Sequence, residues 1–126
     1  MPNGEGWFID LRTGEHISIH EHRHAVVADP ARYRVTPEEI AGKDRKHIVG
    51  LALERGFVRV RADKGWLVAE FNAPQGEALP QIERFLADKG FVEYRQLRIR
   101  DHRLGRQLEC TAAEFFEGVP ADAWKS

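Results

Sequence analysis

Histidine is the residue type in this chain whose spacing could support metal chemistry. His16, His20, His22 and His24 lie within one short stretch. In a strand, spacings of two would place the last three on one side, and in a helix a spacing of four would align His20 with His24. Either geometry offers imidazole nitrogens to zinc, copper or nickel. The candidates for a further ligand are Glu21, Asp29, His47 and His102. The alternative is a polar, solvent-facing surface, which we favour because ligating histidines need partners that fix their rings.

Arginine forms the second constellation. Arg59, Arg61, Arg98 and Arg100 alternate with apolar residues, so they are predicted to cover one face of a sheet. Such a face could bind phosphates and stack on bases, especially with an aromatic residue such as Tyr94 or Phe57 beside it. The alternative is a face balanced by the cross-strand carboxylates of Glu70, Glu93, Asp101 and Glu109. A formal net charge of −1 favours this alternative, since nonspecific affinity for nucleic acids comes mainly from phosphate neutralisation.

The other reactive residue types form no catalytic signature. Cys110 is the only cysteine, so the sequence excludes an intramolecular disulfide and a cysteine-based zinc site, and we interpret Cys110 as a core residue. Ser18 has histidine neighbours but no nucleophile elbow around it. The glycines stand singly at turns and helix ends, not in a phosphate-binding loop. We therefore predict no catalytic residue and no cofactor.

Alternating apolar segments around turn residues predict three β-hairpins, which would position these side chains. The third hairpin has a bulge near Gln96, where the alternation slips. The paired segments are Trp7–Leu11 with Glu15–His20, Phe57–Ala62 with Trp66–Phe71, and Phe91–Ile99 with Gln107–Cys110.

Capping signals and apolar periodicity predict the helices. Thr36 with Glu39, and Thr111 with Glu114, have the spacing of a capping box. The predicted helices are His22–Ala28, one opening at Thr36, Arg45–Arg55, Pro80–Lys89 and one from Thr111 to Gly118. Gly50 weakens the Arg45–Arg55 helix, and we expect a close approach of that helix to the sheet as compensation.

An internal repeat connects these elements. Ile48–Arg61 aligns without a gap to Ile82–Arg95, and each copy passes from a helical pattern through Gly-Phe-Val into an alternating run. We predict an α+β fold with two layers: a mainly antiparallel sheet of three hairpins, helices on one face, and helix–hairpin units at about 45–72 and 80–110. The repeat would allow a pseudo-twofold relation between the units.

Length and composition indicate a globular protein. At 126 residues, 42% of them hydrophobic and 31% charged, the chain is predicted to form one domain, with residues 1–6 and about 119–126 frayed. No apolar run approaches the length of a membrane span, and the first residues lack a signal-peptide pattern. We therefore expect a cytoplasmic protein without a membrane partner.

Short motifs in the first half of the chain resemble a group of proteins. They are G-W-F-I-D-L-R-T-G at Gly6–Gly14, His24, T-P-E-E-I at Thr36–Ile40 and A-L-E-R-G-F-V-R-V at Ala52–Val60. The chain thereby resembles small bacterial and phage-associated proteins that pair a W-x-x-D-x-x-G hairpin with an A-L-x-x-G-[FW]-[IV]-R segment. That group has no assigned activity, so the resemblance implies no catalytic residue. It implies a mobile-element or host-interaction role.

Three hypotheses for function follow. The first is a non-enzymatic interaction domain that uses the open face or an edge of its sheet to bind a protein partner or itself. The second is a nucleic-acid-binding accessory protein that uses the four arginines. The third is a metal-binding protein built on His16, His20, His22 and His24.

Overall fold

The computed structural model describes residues 6–18, 35–42, 45–91 and 95–126. The predicted helix His22–Ala28 lies wholly outside these ranges. Residues 92–94, which precede the bulge predicted near Gln96, also lie outside them. The described strands are β1 (Gly6–Asp10), β2 (His16–Ser18), β3 (Phe57–Asp63), β4 (Trp66–Phe71), β5 (Gln96–Asp101) and β6 (Arg106–Thr111). The described helices are α1 (Pro37–Ala41), α2 (Arg45–Glu54), α3 (Gln75–Lys89) and α4 (Ala112–Glu117), followed by a 3₁₀ turn at Ala121–Ala123.

The strands form one mixed sheet in the order β2-β1-β3-β4-β5-β6. Neighbouring strands are antiparallel except β4 and β5, which are parallel. Parallel neighbours need a long crossover connection, and α3 provides it. The predicted α+β class, with a mainly antiparallel sheet, is therefore confirmed.

Both predicted capping boxes are present. The hydroxyl oxygen of Thr36 accepts from the Glu39 amide at 3.2 Å, and the Glu39 carboxylate accepts from the Thr36 amide at 2.7 Å. Thr111 and Glu114 make the same pair of bonds at 3.1 and 2.8 Å. Each box satisfies two backbone N–H groups that a helix start leaves without intrahelical partners.

The main core lies between the sheet and α3. The buried side chains of α3 are Ala78, Ile82, Phe85 and Leu86, and they pack against alternate residues of the strands. Trp7 of β1 meets the Phe85 ring at a centroid distance of 5.5 Å. The core side chains of the strands are Ile9, Val58, Val60, Leu67, Ala69, Phe71, Leu97, Ile99 and Leu108.

The helices do not all lie on one face, which corrects the prediction. Leu51 and Ala52 of α2 pack against Phe8 and Phe57 in a second cluster. Phe8 and Phe57 alternate with Ile9 and Val58, so they point to the opposite face from α3. The sequence carries apolar residues at both parities in this part of the sheet, and α2 covers the second set.

Two local predictions are also wrong. Gly50 is exposed, and a Cβ added there would meet nothing within 4 Å, so no close approach to the sheet explains it. The helix α3 begins at Gln75, ahead of Pro80, which lies inside it. Ala78 is fully buried and Gln75 bonds to Asp101, so tertiary contacts hold the first turn despite the proline.

The two copies of the repeat end differently in the structure. The first copy passes from α2 into β3, whereas β5 begins at Gln96, after the end of the second copy. The strand was predicted to start at Phe91, which is wrong: Phe91 and Arg95 are described and belong to no strand, and residues 92–94 lie outside the described ranges.

Candidate functional site

The four predicted arginines share one face of the sheet. Arg59 and Arg100 both pair in register with Glu70 of β4, and Arg61 and Arg98 both pair with Val68. Residues directly opposite in a sheet point to the same side. The side chains therefore lie on the face opposite α3, and we call Arg59, Arg61, Arg98 and Arg100 the arginine face.

Each guanidinium of the arginine face is matched by a carboxylate. The pairs are Arg59–Glu70 at 3.4 Å, Arg100–Glu70 at 3.3 Å, Arg61–Asp63 at 3.2 Å and Arg98–Glu109 at 2.6 Å. Glu70 and Glu109 are thus two of the cross-strand carboxylates that were predicted to balance the charge of the arginines. Asp101 has the opposite parity and serves a turn instead, and Glu93 lies outside the described residues.

Glu70 is the electrostatic centre of this face. The residue is only 7% exposed, and its two carboxylate oxygens lie near Arg59 and Arg100 on the neighbouring strands. The His102 Nε2 atom is 3.7 Å from Glu70 Oε1. A buried carboxylate is costly without cationic partners. Glu70 therefore fixes the position of Arg100, whose Nε also donates to Gln107 at 3.2 Å.

Trp66, Arg98 and Glu109 are neighbours on one face of β4, β5 and β6. Glu109 lies directly opposite Arg98, and Trp66 is diagonal to Arg98. The Arg98 guanidinium carbon lies 4.4 Å from the centre of the Trp66 ring, which is cation–π geometry. The same guanidinium binds Glu109. The ring and the carboxylate thus hold Arg98 from both sides.

A polar cavity of about 510 Å³ opens where β5 and β6 meet the last residues of the chain. Its lining carries more basic than acidic side chains. The lining residues are Arg100, Asp101, His102, Gly105, Arg106, Gln107, Glu109, Ala123, Lys125 and Ser126. We call this space the polar cavity.

An apolar groove of about 410 Å³ lies nearby, between α3, α4 and the β5–β6 turn. Leu104, in the turn, is 55% exposed. Among the described residues, no other large hydrophobic residue is exposed. The lining residues are Gln75, Leu79, Glu83, Leu104, Arg106, Leu108, Phe115, Gly118, Val119, Ala121 and Trp124. We call this space the apolar groove.

The residues after α4 separate the two spaces. Val119, Ala121 and Trp124 line the apolar groove, while Ala123 and Lys125 line the polar cavity. Two backbone bonds between Gln107 and Lys125, at 2.7 and 2.9 Å, attach this segment to the outer edge of β6. Within residues 119–126, Lys125 is therefore bonded to the edge of the sheet.

Sequence reasoning missed this end of the molecule, although the sequence contains a signal for it. Asp10-Leu11-Arg12-Thr13-Gly14 and Asp101-His102-Arg103-Leu104-Gly105 share the pattern D-x-R-x-G. Both aspartates are buried and accept a hydrogen bond from the backbone amide two residues later. In the first of these two turns, three residues separate Asp10 from Gly14, whereas the W-x-x-D-x-x-G pattern has two residues between its aspartate and its glycine. Comparing the turns would have directed attention to Leu104.

The histidines do not form a metal site within the described residues. His16 lies on β2, with its ring edge-on to Phe85 at 5.0 Å, and burial lowers its pKa. Three strands separate β2 from β5, which precedes His102. No group of three potential ligands occurs among the described residues. His20, His22 and His24, and the His47 side chain, lie outside them.

Cys110 is a half-buried free thiol, and burial together with nearby Glu114 raises its pKa to about 11. A thiol with such a pKa stays protonated near neutral pH and is a poor nucleophile.

No described helix has the length and apolar character needed to cross a membrane.

In comparisons with known proteins, no family model, no curated protein and no solved structure matches this chain.

Proposed function

We propose that this protein is a non-enzymatic interaction domain that binds a segment of a partner protein in the apolar groove. The apolar groove together with Leu104 at its edge carries the proposal. Leu104 is 55% exposed, whereas the other described large hydrophobic residues are buried or partly buried. A single exposed leucine is ordinary on a protein surface, but beside a groove with apolar walls it extends a contiguous apolar surface, which is typical of a binding site.

The walls of the groove suit an apolar anchor. Leu79 comes from α3, Phe115 from α4, and Val119 and Trp124 from the segment that follows. Aromatic and leucine side chains around a concavity can enclose an inserted side chain and exclude water from it, which is how interface hot spots gain affinity.

The charge around Leu104 specifies the partner segment. Arg103 and Arg106 are exposed on either side of Leu104 and Gly105, and no described carboxylate lies within ion-pair distance of either. Glu83 is the acidic residue among the groove's lining. A segment that places an apolar side chain next to acidic residues complements this surface.

A peptide selection with a built-in control tests the proposal. Phage-displayed random 12-residue peptides are selected on the full chain and depleted on Leu104→Asp. We expect enriched peptides to combine apolar anchors with acidic residues and to lose at least about tenfold in affinity on Leu104→Asp, the scale of a modest hot spot. Thr13→Asp, at the equivalent position of the other D-x-R-x-G turn, is the matched control and should bind like the wild type.

Two outcomes would contradict the proposed occupant. Enriched peptides that bind Leu104→Asp as well as the wild type would exclude the groove. Light scattering that gives a dimer mass for the wild type and a monomer mass for Leu104→Asp would replace the partner segment with a second copy of this chain.

Nucleic-acid binding is the second candidate, and the shared orientation of the four arginines favours it. Ion pairing counts against it, because phosphates would have to compete with Glu70, Asp63 and Glu109. Titration with single- and double-stranded oligonucleotides tests it: binding should weaken steeply with salt and shift the amides of β3 and β5. An absence of shifts on those strands would exclude it.

The proposed compartment is the cytoplasm. The free thiol of Cys110 and the lack of a second cysteine in the sequence fit a reducing environment.

A further inference from the structure

We propose that the polar cavity binds a small phosphorylated molecule through Arg100, Arg106 and Lys125. The site is separate from the apolar groove, although Arg106 borders both spaces. At about 510 Å³ the cavity is within the size range of small-molecule sites, which is about 300–1,000 Å³.

The basic side chains reach the cavity from three elements. Arg100 comes from β5, Arg106 from β6 and Lys125 from the segment bonded to the edge of β6. His102, in the turn, adds a ring nitrogen to the same lining. Groups that converge from separate elements on one concavity can surround an anion, which a row of charges along one strand cannot do.

The carboxylates of the lining are already engaged. Asp101 is 1% exposed, and it accepts hydrogen bonds from the Arg103 and Leu104 amides and from the Gln75 side chain. Glu109 binds Arg98 at 2.6 Å. Neither lies within ion-pair distance of Arg106 or Lys125 among the contacts of the described residues. The cavity therefore retains two cations, Arg106 and Lys125, that no described carboxylate pairs with.

Arg100 is held ready for a ligand. Its guanidinium donates one N–H to Glu70 and one to Gln107. A guanidinium has five N–H groups in a rigid fork that matches phosphate oxygens. The two contacts fix the orientation of Arg100 and leave further donors, so binding an anion costs little reorganisation.

A phosphate monoester suits these groups better than a carboxylate does. It carries close to two negative charges at neutral pH and three acceptor oxygens. These correspond to Arg106 and Lys125, which have no acidic partner among the described residues, and to the oriented Arg100. The size of the cavity and the convergence of its cations from three elements favour a small molecule over a nucleic acid strand, which would instead need a groove that follows its backbone.

The test is an NMR titration of the full chain with inorganic phosphate and with phenyl phosphate, at an ionic strength held constant with sodium chloride. We expect saturable shifts at the amides of His102, Gly105, Arg106 and Lys125. Arg106→Gln and Lys125→Gln should each raise the dissociation constant about tenfold, because each removes a charge-assisted hydrogen bond. Both residues are exposed, so neither variant should unfold the protein.

Lys64→Asn is the matched control. It also removes one exposed positive charge, and asparagine tolerates the left-handed backbone at this turn position, where φ is 50°. Its affinity for phosphate should equal that of the wild type. Leu104→Thr, which leaves the charge of the turn unchanged, should also bind phosphate normally, so failure of the groove proposal and failure of this one are distinguishable.

Three results would overturn the inference. One is an unchanged dissociation constant in the Arg106→Gln, Lys125→Gln double variant. Another is a set of non-saturating shifts that spread equally to Lys64 and Lys89. The third is saturable binding of a 12-nucleotide single strand at the cavity without binding of either phosphate probe, which would assign the site to nucleic acid.

Discussion

The turns after β1 and after β5 use the same backbone construction. In both, a buried aspartate ends the strand, and a glycine with positive φ closes the turn, at 75° for Gly14 and 66° for Gly105. The residue after each aspartate donates its amide to a carbonyl at the end of a neighbouring strand. Leu11 donates to Gly56, directly before β3, at 3.0 Å, and His102 donates to Phe71, the last residue of β4, at 2.9 Å.

What surrounds the two turns differs. A Cβ on Gly14 would lie 3.4 Å from Gln81 of α3, whereas one on Gly105 would meet nothing within 4 Å. The fourth position is Thr13 in the first turn and Leu104 in the second. The first turn lies against a helix, while the second borders the polar cavity and the apolar groove. The same turn can therefore serve as a structural closure or as part of a site, depending on what the neighbouring elements leave open.

The largest expected effect comes from removing the aspartates. Asp101→Ala should lower the free energy of unfolding by about 3 kcal/mol, because it leaves the Arg103 and Leu104 amides and the Gln75 side chain without their acceptor. Asp10→Ala should also destabilise, since Asp10 is 2% exposed and accepts from the Arg12 amide. Urea denaturation measures both. A change below about 0.5 kcal/mol in either variant, the range of ordinary surface substitutions, would break the equivalence of the turns.

The glycines should show a smaller effect. Gly14→Ala and Gly105→Ala each force a side chain into a left-handed conformation, at a cost of about 1 kcal/mol. The two costs should be equal, because the methyl group at position 14 would only reach van der Waals contact with the end of the Gln81 side chain at 3.4 Å. The comparison is made by urea denaturation, with Gly50→Ala as the control. Gly50 is exposed within α2 and has room for a methyl group, so its replacement should stabilise by up to about 1 kcal/mol.

Exchanging the fourth positions separates stability from binding. Leu104→Thr changes an exposed turn residue, so it should alter the free energy of unfolding by less than about 0.5 kcal/mol. Thr13→Leu also removes the hydroxyl oxygen that accepts from the Glu15 amide at 3.2 Å, so it should destabilise by up to about 1 kcal/mol. Leu104→Thr should weaken binding of the selected peptides, although less than Leu104→Asp does. Thr13→Leu should not create binding, because the apolar groove borders Leu104 and not Thr13. Peptide binding by Thr13→Leu on the Leu104→Thr background would show that an exposed leucine alone suffices.

Local sequence patterns predicted the elements well where the determinants were local. The capping boxes at Thr36 and Thr111 and the strand pair of β3 and β4 depend on residues within a few positions of one another. The alternation in β3 and β5 likewise predicted that Arg59, Arg61, Arg98 and Arg100 share a face, because side-chain direction follows from the period of a strand.

The remaining features depend on contacts that are distant in the sequence. Periodicity did not indicate that α2 would cover Phe8, which lies far away in the chain. The polar cavity brings Lys125 to Arg100 through the Gln107–Lys125 bridge, and a single isolated bridge has no periodic signature. Leu104 is one apolar residue within a polar turn, a pattern that gains meaning only when the neighbouring walls are known.

The smallest expected effect concerns His16, at the start of β2 after the first turn. Burial lowers the pKa of His16 from its usual value near 6.5, and the positive charges of Lys89 and Arg84 act in the same direction, while Asp88 opposes them. Protonation therefore favours the unfolded chain. The stability from neutral His16 is present above pH 6.5 and is lost as the pH falls below that value. The free energy of unfolding, measured from pH 8 to pH 5, should fall less in His16→Gln than in the wild type. An identical pH profile for the wild type and His16→Gln would contradict the role of burial at β2.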